Sequence, residues 1–191
     1  MESVGIYRRS DVVTARIISP FFILAAAVLL TGGPWKAFLA AVLVHELGHC
    51  IGARLAGVPL RRLAGIGGGL HLDFAMETSS YRQELAVLLS GSAAGLLSLL
   101  FLKDPLRRTC TLCLNLANLL PLPGLDGGGI LACLLRQCLD ADRADRVCRW
   151  VFTAAAVLLW AGGMWIVLRV GPNPVWMICG MVALVQLRSK N

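Results

Sequence analysis

Long intervals without a formal charge constrain the fold of this sequence more than any other feature. Five of them cover residues 17–35, 85–102, 109–125, 150–168 and 170–187, and each is 17 to 19 residues long. A sixth interval, 37–53, contains Glu46 as its only charged residue. A helix needs roughly 20 residues to cross the ~30 Å hydrocarbon core of a bilayer. These lengths predict an all-α polytopic membrane protein with about six transmembrane helices.

The composition also favours a membrane protein. Hydrophobic residues make up 57% of the 191 residues and the mean hydropathy is +0.73, which is too apolar for an ordinary soluble domain. We therefore predict a single integral-membrane domain over residues 1–191, with spans at 17–35, 36–56, 83–102, 109–135, 149–169 and 172–188. The first span is interpreted as a helix rather than a cleaved signal sequence, because residues 31–34 form a turn signal.

The net charge of +7 is distributed unevenly over the two sides of the predicted membrane. If successive spans alternate in direction, thirteen Lys and Arg residues fall on one side and five on the other. Basic residues are enriched in cytoplasmic loops, so both termini are predicted to be cytoplasmic, as in a bacterial inner membrane protein. The basic residues thus orient the chain in the lipid bilayer, and no nucleic-acid partner is predicted.

The sequence His45-Glu46-Leu47-Gly48-His49 lies within the 37–53 interval. Residues four apart share a face of a helix, so the two imidazoles can bind one metal ion. The glutamate between them is placed to exchange protons with a water that the metal activates, as in a metalloprotease. An unpaired ionisable group at membrane depth costs roughly several kcal/mol, so the position favours a functional site. The alternative is a helix whose polar side chains only bond to their neighbours.

A second motif is the stretch 118–128, NLLPLPGLDGG. A catalytic zinc usually has three protein ligands and one open position, so two histidines require a third ligand. Prolines and glycines break the predicted fourth helix here, and irregular backbone at membrane depth persists only where it is buried in protein or lines a polar cavity. Asp126 on this break is the expected third ligand. The alternative is an ordinary helix-ending loop with a solvated aspartate.

Depth and direction allow the two motifs to meet. His45 is nine residues from both Lys36 and Arg54, which places it near mid-membrane, and His49 lies closer to Arg54. Spans two and four both run towards the cytoplasm in this topology, so their carboxyl-terminal parts share a leaflet. The sequence therefore predicts that His45, His49 and Asp126 converge in the cytoplasmic half of the membrane.

Residues 65–73, between spans two and three, alternate apolar and polar residues around a run of glycines. The pattern indicates a short glycine-rich loop and β segment. Its strand edge could hold an extended peptide by strand addition, and a plain connecting loop is the alternative. His71 in this segment is interpreted as a solvated side chain rather than a ligand.

Small residues and cysteines inside the spans are interpreted as packing residues without a catalytic or metal-binding role. Residues 90–95 of span three are small and favour close packing of helix backbones. Most of the seven cysteines lie in or beside apolar spans, where they behave as small hydrophobic residues. Cys110 and Cys113 have the spacing of a redox or zinc pair, but no second pair completes a four-thiolate site.

The two motifs HELGH at 45–49 and NLLPLPGLDGG at 118–128 together resemble those of the site-2 proteases, which are intramembrane zinc metalloproteases. The resemblance covers residues from about 38 to 129, and the six-span layout is most similar to the bacterial branch that includes the stage IV sporulation protease. It implies one Zn²⁺ per chain bound by His45, His49 and Asp126, with Glu46 as the catalytic acid/base. It also implies that Asn118 takes part in substrate binding.

The resemblance is incomplete in span three. Gly91, Ser92 and Gly95 stand where family members often have Gly-Pro followed by an asparagine. No PDZ-sized insertion or nucleotide-sensing domain is recognised. The implied function is hydrolysis of membrane-embedded or membrane-associated protein substrates near the cytoplasmic leaflet, with a regulatory membrane protein as a further partner. The alternative is a non-catalytic membrane protein that binds metal or a client; Glu46, which is not needed as a ligand, favours catalysis.

Overall fold

A computed structural model describes residues 34–66, 69–74 and 80–170. These residues form five α-helices and one β-hairpin. Helices α1 to α5 span Trp35–Ala56, Tyr81–Ser98, Pro105–Asn118, Asp126–Cys138 and Ala141–Val170, and strands β1 and β2 span Leu60–Ile66 and Gly69–Phe74. The described part of the chain is therefore mainly helical, as the sequence predicts. The predicted spans at 17–35 and 172–188 lie outside the described residues, except for residues 34 and 35.

Two of the described helices are long and apolar enough to cross a membrane. They are α1, with 22 residues, and the segment Ala141–Trp165 of α5, with 25 residues. Along α1, large hydrophobic side chains at four-residue spacing form an exposed face: Leu39, Leu43, Leu47, Ile51 and Leu55. The opposite face is buried and consists mostly of small residues and the two histidines of the first motif. Helix α1 thus directs its polar site inwards and its large aliphatic side chains outwards.

Helix α2 lies at the centre of the helical packing, because it contacts α1, α3 and α4. Glycines allow its close approach to α1: a Cβ added at Gly48 would lie 2.6 Å from the carbonyl oxygen of Ser90, and one at Gly52 would overlap the Ser90 side chain. The start of α2 is capped by Ser80 and Gln83 in a reciprocal capping box. Gln83 also donates from Nε2 to the carbonyl of Ala56, at 2.8 Å, which joins the start of α2 to the end of α1.

The hairpin connects α1 to α2. Helix α1 ends at Gly57, whose φ of 70° is a left-handed conformation that glycine adopts without a steric penalty. Strands β1 and β2 then pair antiparallel, with Leu63 opposite Leu72 and Ala64 opposite His71. This hairpin occupies the stretch for which the sequence analysis considers a β segment or a plain loop.

The predicted break in the 109–135 segment is present between α3 and α4. Helix α3 ends at Asn118 and α4 begins at Asp126, so residues 119–125 are not helical. Pro121 and Pro123 cannot donate the backbone hydrogen bonds that a continuous helix needs, and Gly124 has a φ of +84°. The break therefore follows from the local sequence, and it places Asp126 in the first turn of α4.

The mixed charges of residues 140–149 suggest a solvated connector before the fifth span. The segment is instead helical, because α5 begins at Ala141 and is continuous for 30 residues. Asp140 accepts a hydrogen bond from the backbone N–H of Arg143, at 2.8 Å, as helix-capping aspartates do. Asp145 forms an ion pair with Arg136 of α4 at 2.9 Å. The mixed charges of residues 140–149 therefore belong to the first turns of α5, where one of them forms an ion pair with α4.

Candidate metal centre

Three potential metal ligands from two distant motifs meet between α1 and α4. Nε2 of His45 and Nε2 of His49 are 3.1 Å apart. Oδ2 of Asp126 lies 3.1 Å from the first of these nitrogens and 3.3 Å from the second. The site is shielded from solvent: His45 is 1% exposed, His49 8%, and the Asp126 side chain 16%. The predicted convergence of the three residues is therefore present.

The second ring nitrogen of His49 determines which nitrogen carries the proton. Nδ1 lies 2.8 Å from the backbone carbonyl oxygen of Val87 in α2. A carbonyl oxygen only accepts hydrogen bonds, so Nδ1 must donate. In the neutral imidazole, Nε2 then has a lone pair, and it is this nitrogen that faces Asp126.

His45 is held in the same tautomer by a different helix. Its Nδ1 lies 2.9 Å from Oδ1 of Asn115 in α3, and Nδ2 of Asn115 donates to the carbonyl oxygen of Thr111 at 2.7 Å. The second hydrogen bond assigns the amide orientation, because the Thr111 carbonyl can only accept from the NH₂ group. Oδ1 therefore faces His45 and accepts from Nδ1–H, which leaves a lone pair on Nε2.

Three hydrogen-bond acceptors thus point at one another inside the protein. Two imidazole lone pairs and a carboxylate oxygen within 3.3 Å have no proton to share in these tautomers. Oδ2 of Asp126 is buried and has no hydrogen-bond donor among the described residues. A buried acceptor such as Oδ2 of Asp126 is costly without a donor, and a cation bound between the three ligand atoms removes that cost. The group His45, His49 and Asp126 could therefore hold a metal ion.

Glycines in α2 make room for the site. A Cβ added at Gly91 would overlap the imidazole of His49, and one at Gly95 would overlap the amide of Asn115. From the sequence, helix packing alone accounts for the small residues at 90–95. The structure adds that these glycines pack against side chains of the site itself, so substitution at either position would displace a site residue and not only a helix.

Glycines also shape the start of α4. A Cβ at Gly127 would overlap the carbonyl of Leu119, and one at Gly128 would overlap the carbonyl of Leu122. The chain therefore folds tightly back over the break, with α4 starting directly against residues 119–122. This close approach places Asp126 beside the histidines of α1.

Asn118 and Glu46 lie close to the ligand group without belonging to it. Nδ2 of Asn118 is 3.3 Å from Nε2 of His45, and the residue is 3% exposed. Glu46 is half-buried and interacts electrostatically with His49. Within the part of the chain that the structure describes, only His45, His49 and Asp126 contribute ligand atoms to the cluster. Glu46 is thus near the site and is not one of its ligands.

The motifs in the sequence do not point to Asn115 or to the carbonyl of Val87. The sequence does contain a signal for Asn115: it is an uncharged polar residue in an apolar segment, and it lies one helical turn before Asn118. Nothing in the sequence could single out the Val87 carbonyl, since every residue has one. Its role depends on the way α2 packs across α1.

Comparisons with protein-family models and with curated proteins find no match for this chain. The functional interpretation therefore depends on the motifs and on the geometry of the site.

Proposed function

We propose that this protein is an intramembrane zinc metalloprotease of the site-2 type. The observation that carries the proposal is the convergence of two Nε2 lone pairs of an H-E-x-x-H helix with a carboxylate oxygen from a second motif, at 3.1 to 3.3 Å. Neither motif alone specifies a metal centre. Together they supply three ligands and a nearby carboxylate in one buried site.

The distances support zinc as the metal. Two ligands at the usual 2.0 to 2.2 Å from a tetrahedral zinc are separated by about 3.3 to 3.6 Å, and the three separations of 3.1 to 3.3 Å lie at or just below the lower end of this range. Two histidines and one carboxylate match the nitrogen and oxygen ligands of catalytic zinc sites. Three protein ligands leave one position of a tetrahedron open for water or substrate, which a structural site would close.

His45, His49 and Asp126 would hold the ion, which supplies Lewis-acid activation of water and of the scissile carbonyl. The Glu46 carboxylate accepts the proton of the attacking water and later delivers it to the leaving amine nitrogen. Asn118, whose Nδ2 lies 3.3 Å from Nε2 of His45, would donate to the substrate backbone beside the ligands. The near-complete burial of the histidines limits the access of bulk water.

The membrane location is supported by the exterior of the helices. The five aliphatic side chains of the exposed face of α1 are 48% to 84% accessible, from Leu39 to Leu55. A contiguous apolar face of this length is typical of a surface that contacts lipid or another helix. In our proposal the chain has six spans, with α1 as the second and α5 containing the fifth, and both termini in the cytoplasm of a bacterium.

The proposed substrates are transmembrane or membrane-associated protein segments that unwind locally, because a helix hides its peptide bonds from the nucleophile. Cleavage occurs towards the cytoplasmic leaflet, where His49 and Asp126 lie in this topology. A regulatory membrane protein is a further partner in this proposal.

The experiment that tests the function uses Glu46→Gln. Wild type and variant are co-expressed with candidate single-span proteins, and the truncated product is detected by immunoblotting. We expect the variant to retain zinc, measured in the purified protein, and to lose cleavage by at least 10²-fold, the effect typical of general acid–base catalysis. Glu84→Gln, the same chemical change in the first turn of α2, is the matched control and should cleave normally.

The outcomes separate the two functional classes. Zinc binding with no cleavage of any substrate by the wild type would favour the non-catalytic metal-binding alternative. Undiminished cleavage by Glu46→Gln would remove Glu46 from the mechanism. Zinc binding that survives the substitution of Asp126 by alanine would refute the ligand set itself.

A further inference from the structure

An uncharged amide is completely buried in α3, and the proposed function does not use it. Asn115 is 0% exposed, although its neighbours on the helix are mostly apolar. Both polar atoms of its side chain are bonded: Oδ1 accepts from Nδ1 of His45 at 2.9 Å, and Nδ2 donates to the Thr111 carbonyl at 2.7 Å. A buried amide is costly unless its groups are bonded, and one with both groups satisfied fixes its partners in one arrangement, so a specific role is expected.

We infer that Asn115 is a positioning residue that holds His45 in its metal-binding tautomer. The inference rests on the proposed metal site and adds to it a residue that touches neither substrate nor metal. Metal-binding histidines commonly donate their second ring N–H to a carboxylate, a carbonyl or a water, and these partners orient the ring. His49 uses a backbone carbonyl for this purpose, and His45 uses the Asn115 side chain.

The tautomer of His45 needs such a partner because Asp126 favours the other one. Oδ2 of Asp126 is 3.1 Å from Nε2 of His45. Without an acceptor at Nδ1, the imidazole would carry its proton on Nε2 and donate it to this carboxylate. That arrangement satisfies two buried groups and blocks the nitrogen that binds metal. Asn115 competes with it by offering an acceptor to Nδ1–H.

The orientation of the Asn115 amide is fixed from two sides. The Thr111 carbonyl accepts only from the NH₂ group, so turning the amide over would place two oxygens against each other. On the other side, α2 packs its Gly95 directly against the amide, where a Cβ would overlap Nδ2, Oδ1 and Cγ. The small residue in the third span thus leaves space for the amide and confines it.

Two substitutions test whether zinc binding depends on the hydrogen-bond acceptor that Asn115 offers to His45. Asn115→Leu keeps the branching of the side chain but removes the acceptor, and we expect zinc affinity to fall by roughly 10- to 100-fold, the usual effect of losing such a partner. Thr111→Val is the matched control: it removes a buried hydroxyl one turn away but keeps the backbone carbonyl that orients Asn115.

Zinc affinity is measured on the full-length protein in detergent by competition with a chelating dye. The inference is supported if Asn115→Leu weakens binding while Thr111→Val does not. Equal affinity of wild type and Asn115→Leu would overturn it. A loss of the same size in Thr111→Val would also overturn it, because a general disturbance of α3 and not the loss of the acceptor would then explain the result.

A second measurement reads the tautomer directly and needs neither metal nor substrate. The chain has three histidines, so ¹⁵N-histidine labelling gives a spectrum simple enough to assign with His45→Gln. The metal-free protein is examined at a pH where the imidazoles are neutral. We expect the proton of His45 to be on Nδ1 in the wild type and on Nε2 in Asn115→Leu. A wild-type proton on Nε2 would overturn the inference even if the protein cleaves substrates. Conversely, normal cleavage by Glu46→Gln would refute the proposed mechanism and leave this result unchanged.

Discussion

The substitution Gly91→Ala tests most sharply whether α2 supports the metal site. The added methyl group would overlap Nε2 and Cε1 of His49 and lie 2.8 Å from Cδ2. Carbon and nitrogen atoms in contact are normally about 3.5 Å apart, so the imidazole would have to move by about 1 Å. The movement would stretch the 2.8 Å hydrogen bond from Nδ1 of His49 to Val87 and withdraw Nε2 from His45 and Asp126.

The expected effects on stability and on metal binding differ in size. Overpacking costs about 1–3 kcal/mol and the weakened hydrogen bond about 1 kcal/mol, whereas alanine in a helix is better than glycine by up to about 1 kcal/mol. The free energy of unfolding should therefore fall by about 1–3 kcal/mol. A 1 Å displacement of one ligand should lower activity by about 100-fold, and it should weaken zinc binding.

The assay compares zinc affinity and thermal unfolding of the purified variant with those of wild type. Gly162→Ala is the matched control, because Gly162 lies in α5 with no atom within 4 Å of an added Cβ. It should be neutral or stabilise the helix by up to about 1 kcal/mol. If Gly91→Ala bound zinc as tightly as wild type, the close contact between α2 and His49 would not position the ligand, and the reasoning would be refuted.

Two further predictions concern the metal and a buried hydroxyl. Removing metal with a chelator should destabilise the wild type by about 2.7 kcal/mol, relative to protein with zinc at 100 times its dissociation constant. The same denaturation temperature in both conditions would contradict the site. The variant Asp126→Ala should show no difference between the two conditions. Ser92 is 2% exposed and its hydroxyl has no hydrogen-bond partner among the described residues. Ser92→Ala should therefore leave the free energy of unfolding unchanged or raise it by up to about 1 kcal/mol, measured by chemical denaturation. A loss above about 1 kcal/mol would contradict this expectation.

Local patterns accounted for much of the site. The four-residue spacing of His45 and His49 places them on one face of α1 because of the helical period. Pro121, Pro123 and Gly124 account for the break before α4 because their backbone properties act within a few residues. The choice of Asp126 as the third ligand needed more, namely its expected depth and the resemblance of the two motifs.

Local patterns also misplaced the start of α5. Charged residues between 140 and 149 suggested a connector, because such a run is usually solvated. The structure shows that Asp145 pairs with Arg136 of the preceding helix and that Ala144 is fully buried. An ion pair between two helices is not visible in the order of residues along one of them.

The sequence by itself determined which side chains could bind a metal and on which helical face or break they lie, since both follow from interactions between near neighbours along the chain. Only the tertiary structure decided that Nε2 of each histidine faces Asp126, because the proton on Nδ1 is fixed by Val87 of α2 for one ring and by Asn115 of α3 for the other. Those partners are 38 and 70 residues away along the chain. Their approach depends on glycines that let three helices pack closely enough for hydrogen bonds to form, and no local pattern specifies that arrangement.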